Sequence, residues 1–202
     1  MARQKDQAAR RRQLKQAARR AIASRGVEGV RVKDVAAEAG LSPQAVLYYY
    51  PALDDLIEEA IQHTLERFAE RRFEAVERSD DPRRALVEAI AAGLPAGADD
   101  EDLRVLYGAA AYFRDKPALG ALIRSLTDRQ VERYRRLLEL GEARGVFKLA
   151  DSSEAIARNI VALEDAYGLY IIGGAPIANE APELIRSFAS MAVGSTLDPP
   201  PT

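Results

Sequence analysis

The side chains best suited to chemistry in this 202-residue chain stand close together near its start. They are Ser42, Gln44, Tyr48 and Tyr49, with Arg10, Arg11, Arg12 and Lys33 upstream. Together they bring a hydroxyl, an amide, two phenols and four cations. No member is a nucleophile with a base beside it, so the set does not look catalytic. It suits recognition instead. Guanidinium and ammonium groups pair with phosphates, while amides and hydroxyls bond base edges or backbone oxygens. Groups for catalysis are scarce elsewhere. There is one histidine, His63, and no cysteine, so neither a sulfur-built metal site nor a nucleophile–base pair is at hand. Glu58, Glu59, Glu66 and Glu70 read as a solvated helix face. An enzyme is not expected, nor a metal or cofactor.

The elements that must hold these groups form a corner. Val32, Val35, Ala36 and Ala39 recur at helical spacing, and Gly40 ends that helix where a positive φ is wanted. Leu41 plugs the turn. Ser42 is a good N-cap and Pro43 a good first helical residue, so a second helix starts there. Val46 and Tyr50, four apart, face the first helix, leaving Gln44, Ala45, Tyr48 and Tyr49 turned away. Three consecutive tyrosines cannot all point inward, and only Tyr50 is assigned to the core. The common use of such a corner is to hold its second helix in the DNA major groove.

Charge agrees. Residues 1–50 hold eleven Lys or Arg against four Asp or Glu, a net +7, and all eleven lie within residues 1–33. The whole chain is −2, which leaves −9 for residues 51–202. A basic head on an acidic body fits a polyanion bound at one end only.

The remaining sequence is helical almost throughout. Periodic apolar residues place helices at about 7–25, 32–39, 43–50, 53–79, 82–93, 102–114, 117–144, 152–173 and 182–194. Asp81-Pro82 is a capped start, and Asp115-Lys116-Pro117 is a break. No stretch alternates with period two for long. The expected fold is all-α, a three-helix head followed by a six-helix body. Boundaries are placed at 1–53, with a basic arm at 1–12, then 54–197, then a disordered Pro-rich tail at 198–202. No apolar run reaches the ~18 residues of a membrane span, and a charged start lacks the apolar core of a signal peptide. A cytoplasmic location is expected.

The basic first helix, the Val-Ala-Ala-Glu-Ala-Gly-Leu-Ser corner (residues 35–42), the tyrosine-rich helix and the long helix after it resemble the TetR family of transcriptional regulators. The resemblance is specific over about residues 10–60. Looser likeness to the choline-responsive BetI-type subgroup lies in Arg-x-x-Leu-Leu-Glu-Leu-Gly-Glu-Ala-Arg-Gly-Val-Phe and Ala-Leu-Glu-Asp-Ala-Tyr-Gly-Leu. The family implies a body that dimerises through its last two helices and releases operator DNA on binding an effector. It also implies roles. Ser42 caps the recognition helix and touches phosphate, with Pro43 beside it. Gln44 and Ala45 read bases, Gln44 standing where glycine is common, with an amide that can pair with adenine. Lys33 reaches base or phosphate, and Tyr48 and Tyr49 reach the backbone. Two residues depart from the pattern. Leu47 replaces a usual tyrosine and Leu53 a usual phosphate-binding lysine, so the Arg10–Arg12 arm is expected to supply the missing charge.

Two further sites are expected in the body. Tyr107, Tyr112, Tyr134 and Tyr167, with Glu164, make aromatic walls and a carboxylate suited to a small organic cation. Ordinary packing between helices is the plainer reading of each tyrosine alone. Ile156, Ile160, Leu163, Tyr167 and Ile171 form one apolar stripe; Leu184, Ile185, Phe188, Met191 and Ala192 form another. Side by side they make half of a four-helix bundle, completed by a second copy, or else they close the monomer's own core. The function expected is a ligand-responsive regulator, a homodimeric repressor on palindromic duplex DNA. A helical protein–protein adaptor without DNA binding is the alternative.

Overall fold

Why the chain starts as a helix is plain from its composition. From Ala2 to Arg25 there is no Gly or Pro, and Ala, Arg, Gln and Lys dominate, all good helix formers. In the computed structural model, which describes residues 2–76, 79–109 and 116–198, α1 runs unbroken over Ala2–Arg25. The basic segment expected as an arm at 1–12 is therefore helical from residue 2 onward. The corner follows as α2 (Val32–Ala39) and α3 (Pro43–Tyr49). Then come α4 (Leu53–Val76), α5 (Pro82–Gly93), α6 (Glu101–Gly108), α7 (Pro117–Ala143), α8 (Ser153–Ile172) and α9 (Ala181–Val193), with a 3-10 turn at Pro176–Asn179. Among the described residues every α-helix expected from periodicity is present and there is no strand. The far ends of the expected helices at 53–79 and 102–114 reach residues outside those described, as does the tail from residue 199.

The chain divides into two compact units, Met1–Arg67 with Glu101–Ile123, and Phe68–Asp100 with Arg124–Thr202. Helices α4 and α7 each begin in the first and continue into the second.

In the first unit α1 packs on α2 and α6, and α2 on α3. The inner face of α1 is built from Leu14, Ala17, Ala18, Ala21 and Ile22, all buried. Three alanines there let neighbouring helices approach closely, and Leu14 and Ile22 fill the ends. Val35, Ala36, Val46 and Tyr50 come in from the corner; Leu56, Ile57, Ala60 and Ile61 come in from α4. A buried charge sits among them. Asp102, in the first turn of α6, accepts from Arg19 at 2.8 Å and lies 3.7 Å from Arg67. Arg19 also pairs with Glu101 at 2.7 Å, which ties α1 to the start of α6.

In the second unit α5, α8 and α9 pack on one another. The caps are those expected: Asp81 accepts the Arg83 N–H at 3.0 Å, and Ser152 accepts the Ala155 N–H at 3.2 Å. The core gathers Leu86, Ile90, Leu138, Phe147, Ile156, Ile160, Ile185 and Val193. Phe147 closes it by lying against Gly141, where a Cβ would stand only 2.0 Å from the ring. No helix is long and apolar enough to cross a membrane among the described residues.

Candidate nucleic-acid interface

Gly40 adopts φ 65°, the left-handed conformation that only a residue without Cβ takes cheaply, and Leu41 N–H closes back on the Ala36 carbonyl at 2.9 Å. The chain then runs extended through Ser42, whose Oγ accepts the Ala45 N–H at 3.2 Å, with Pro43 at the first helical position. Gln13 of α1 braces the corner from behind, donating to the Ala39 carbonyl at 2.9 Å. The short helix is thus set by a glycine, a cap and a proline, as the sequence suggested.

What α3 presents follows from its register. Val46 is buried, while Ser42, Pro43 and Gln44 are exposed and Ala45 is half-buried. Tyr48 is 70% exposed; Tyr49 is half-buried and meets it edge to face, ring centroids 5.1 Å apart. Leu47 is exposed too, an apolar side chain on the outward face. Lys33 is exposed on α2. Gln44, Ala45, Tyr48 and Tyr49 therefore share the surface of one helix, with Lys33 on the helix before it.

The arginines are less available than their number suggests. Arg10 donates to Gln13 at 2.6 Å, Arg20 to Glu38 at 2.8 Å, and Arg25 pairs with Asp34 at 3.3 Å. Arg11 donates to Glu59 at 2.6 Å. Of the expected Arg10–Arg12 cluster, Arg12 is exposed with no ion pair among the described residues, and the same holds for Lys33. On the Glu58–Glu70 face, Glu66 and Glu70 are exposed as expected, and Glu58 and Glu59 are half-buried. Glu58 pairs with Lys116 at 3.3 Å and Glu66 accepts from Gln62 at 3.0 Å, while two donors, Arg11 and Tyr50, converge on Glu59.

That convergence was not anticipated. Tyr50 caps the end of α3, 1% exposed, and its hydroxyl donates to Glu59 Oε2 at 2.8 Å. The Arg11 guanidinium lies 4.3 Å over the Tyr50 ring centroid. Burial first, then the bond to Glu59, push the Tyr50 phenol up to about 12. Burial alone would raise the Glu59 carboxyl, but the bonds from Tyr50 and Arg11 outweigh it and hold that carboxyl below its ordinary value. The inward turn of Tyr50 was legible; the junction was not, because Arg11 reaches Glu59 across 48 residues of sequence.

Residues 14–60 match the family model for bacterial regulatory proteins of the tetR family. Over these residues the head is similar to TetR-family heads. The TetR-type match covers the second half of α1, all of α2 and α3, and the start of α4. Among named relatives, the HTH-type transcriptional regulator PksA of Bacillus subtilis is 29% identical over 117 residues, 57% of either chain. The HTH-type transcriptional regulator BetI of Brucella anthropi is 36% identical over 87 residues, 43% of this chain and 45% of that one. The chain thus spans about half the length of the curated relatives it matches. A transcriptional regulator from Saccharomonospora viridis, solved in complex with choline, superposes with a TM-score of 0.82, covering 91% of this chain and 96% of that one at 24% identity. That likeness establishes the fold, a TetR-type head followed by a helical body.

The body residues singled out from sequence part company. In the second unit Tyr134 and Glu164 do meet. The Tyr134 hydroxyl donates to Glu164 Oε1 at 2.5 Å, with Glu164 0% exposed among the apolar side chains of α8. Tyr167, half-buried beside that core, stacks edge-on with Tyr170 at 6.1 Å. Tyr107 belongs to the first unit, half-buried on α6, and Tyr112 lies outside the described residues. The apolar stripes also split. Ile156, Ile160, Ile171 and Ile185 are buried within their own unit, so their side chains already have partners. Leu163 and Phe188 are half-buried; Leu184 and Met191 are exposed, as are Leu169 and Tyr170. Among the described residues no group of three or more His, Cys, Asp or Glu could hold a metal ion.

Proposed function

We propose that this protein is a homodimeric transcriptional regulator that grips palindromic duplex DNA with α3 and lets go when a small organic molecule binds its body. The observation carrying the reading is the TetR-type corner with Gln44, Ala45, Tyr48 and Tyr49 on the outward surface of a capped helix. Residues 1–53 act as the DNA-binding part and 54–197 as the sensing and dimerising part, in a cytoplasmic protein. Gln44 reads a base, Ser42, Tyr48, Lys33 and Arg12 hold phosphates, and the protein represses by occupying its site. Leu169, Tyr170, Leu184, Phe188 and Met191 meet their equivalents in a second copy, which sets two α3 helices about one DNA turn apart, ~34 Å.

The favoured effector is an organic cation of the choline type. Its support is the buried Glu164 carboxylate beside the Tyr134 phenol, a charge and a ring together in an apolar surround, with the choline-bound relative of the same fold. Glu164 is 0% exposed, so a cation reaches it by a separation of the helices that cover it, such as α7 from α8. A ligand can shift the equilibrium only by its preference for one state, and this parting supplies the difference. The test is an electrophoretic shift assay on DNA upstream of the protein's own gene, with salt varied and choline added. Binding that weakens with salt and again with choline supports the whole reading. A chain that ignores DNA at low salt leaves the adaptor in its place, and binding indifferent to choline removes the cation.

A further inference from the structure

The Arg11–Tyr50–Glu59 junction joins three helices at one point. Arg11 comes from α1, Tyr50 from the C-cap of α3 and Glu59 from the second turn of α4. Glu59 uses both carboxylate oxygens, Oε1 for the Arg11 guanidinium at 2.6 Å and Oε2 for the Tyr50 hydroxyl at 2.8 Å. The arginine closes the ring by lying 4.3 Å over the Tyr50 centroid. Each contact constrains the others, because the carboxylate cannot rotate to improve one bond without loosening the second. Resting on the DNA-binding reading above, we propose that Glu59 is a positioning residue for base recognition. It sets the tilt of α3 through Tyr50 and holds Arg11 in the head as a brace, not as a phosphate contact.

The two kinds of contact differ in tolerance. Phosphate contacts made by flexible, charged side chains survive a small tilt of α3, whereas an amide pairing with a base edge needs hydrogen-bond geometry. Only seven residues long, α3 has few contacts of its own to define its axis. Its start is fixed by Ser42 and its end by Tyr50, and the phenol of Tyr50 is the polar tether at that end. Glu59 stands on α4, whose chain continues into the second unit, so a displacement of α4 is carried to the end of α3 through this carboxylate.

The experiment uses the full chain and two duplexes, one enriched by the wild-type protein from a random pool and one scrambled from it. Tyr50→Phe removes the hydroxyl and keeps the ring, and Glu59→Ala removes both bonds. Each is expected to weaken binding to the enriched duplex about tenfold, an effect of the size of one charge-assisted hydrogen bond, with less than about twofold change on the scrambled one. Glu59→Gln, which still accepts from Tyr50, should recover most of the loss. Arg11→Ala should leave the salt slope as it is, while a true phosphate contact would flatten it by about 0.9 log units. Tyr50→Phe binding both duplexes like wild type, equal losses on both, or a flattened slope in Arg11→Ala would overturn the proposal. If the wild type enriches no duplex at all, the DNA-binding reading itself has failed and the junction's role goes with it.

Discussion

Tyr50 shows how one hydroxyl can be read by titration as well as by binding. Its phenol is pushed to about 12 against an ordinary 10.0, first by burial and next by Glu59, so the neutral form is favoured in the folded head. A raised folded value contributes stability that is complete below pH 10 and lost as the pH climbs toward 12. Glu59 works at the other end. Held below its ordinary value, it contributes above about pH 4.5 and loses that contribution as acid protonates it. Ultraviolet difference titration of wild type against Tyr50→Phe should place the missing phenolate step near pH 12; a step near 10 would mean that the phenol is free. Gln44 and Arg12 separate by a different measurement. Gln44→Ala should cost about 1–3 kcal/mol on the preferred site and relax choice at one base pair per half-site. Arg12→Ala should weaken all sequences alike and flatten the salt slope by ~0.9 log units. Equal losses for Gln44→Ala on preferred and random DNA would contradict its assignment.

At the scale of elements, the sequence was most legible where punctuation is chemical. Gly40, Ser42-Pro43, Asp81-Pro82 and Ser152 each stop or start a helix for a reason contained within a few residues, and the structure has them in those roles. Periodicity was less informative about which partner an apolar face meets. Ile185 and Leu184 are neighbours in sequence, yet one is core and the other exposed, since a turn of one residue rotates the side chain by about 100°. Charge was the least legible property. The arginines of α1 looked like a DNA-binding surface, but carboxylates from α2, α4 and α6 claim Arg11, Arg19 and Arg20, and no local pattern announces partners so far along the chain. The close approach of Phe147 to Gly141 was equally hidden. Gly141→Ala would put a methyl 2.0 Å from that ring, so the chain must shift or the ring must leave its seat. Thermal or denaturant unfolding should show a loss of about 1–3 kcal/mol, and a neutral result would mean that α7 ends elsewhere in solution.

For the whole molecule the question is what covers the outer face of the last two helices. In α9, Ile185, Ala189 and Ala192 point into the unit's own core, while Leu184, Phe188 and Met191, at the same i, i+4, i+7 spacing, lie about 100° round the helix, with Phe188 half-buried against the core and Leu184 and Met191 exposed. Met191 is 70% exposed, and Leu169 and Tyr170 are exposed on α8. Such a helix is apolar on two faces, which a solitary protein has little reason to keep, and a second copy of the same face is self-complementary by symmetry. Ile156, Ile160, Ile171 and Ile185 are already packed within the monomer, so in the proposed dimer they would support the interface from beneath and the exposed residues would make it. Leu184→Asp with Met191→Asp should yield a folded monomer by sedimentation, helical by circular dichroism, because neither side chain belongs to the core. That monomer should also lose most of its affinity for a two-fold site, since one α3 alone forfeits the contacts of the second half-site. Ile185→Asp should instead unfold the second unit by burying an unpaired charge. A double variant that remains dimeric would place the interface on another face, and a monomer that binds the full site undiminished would remove the reason for a dimer.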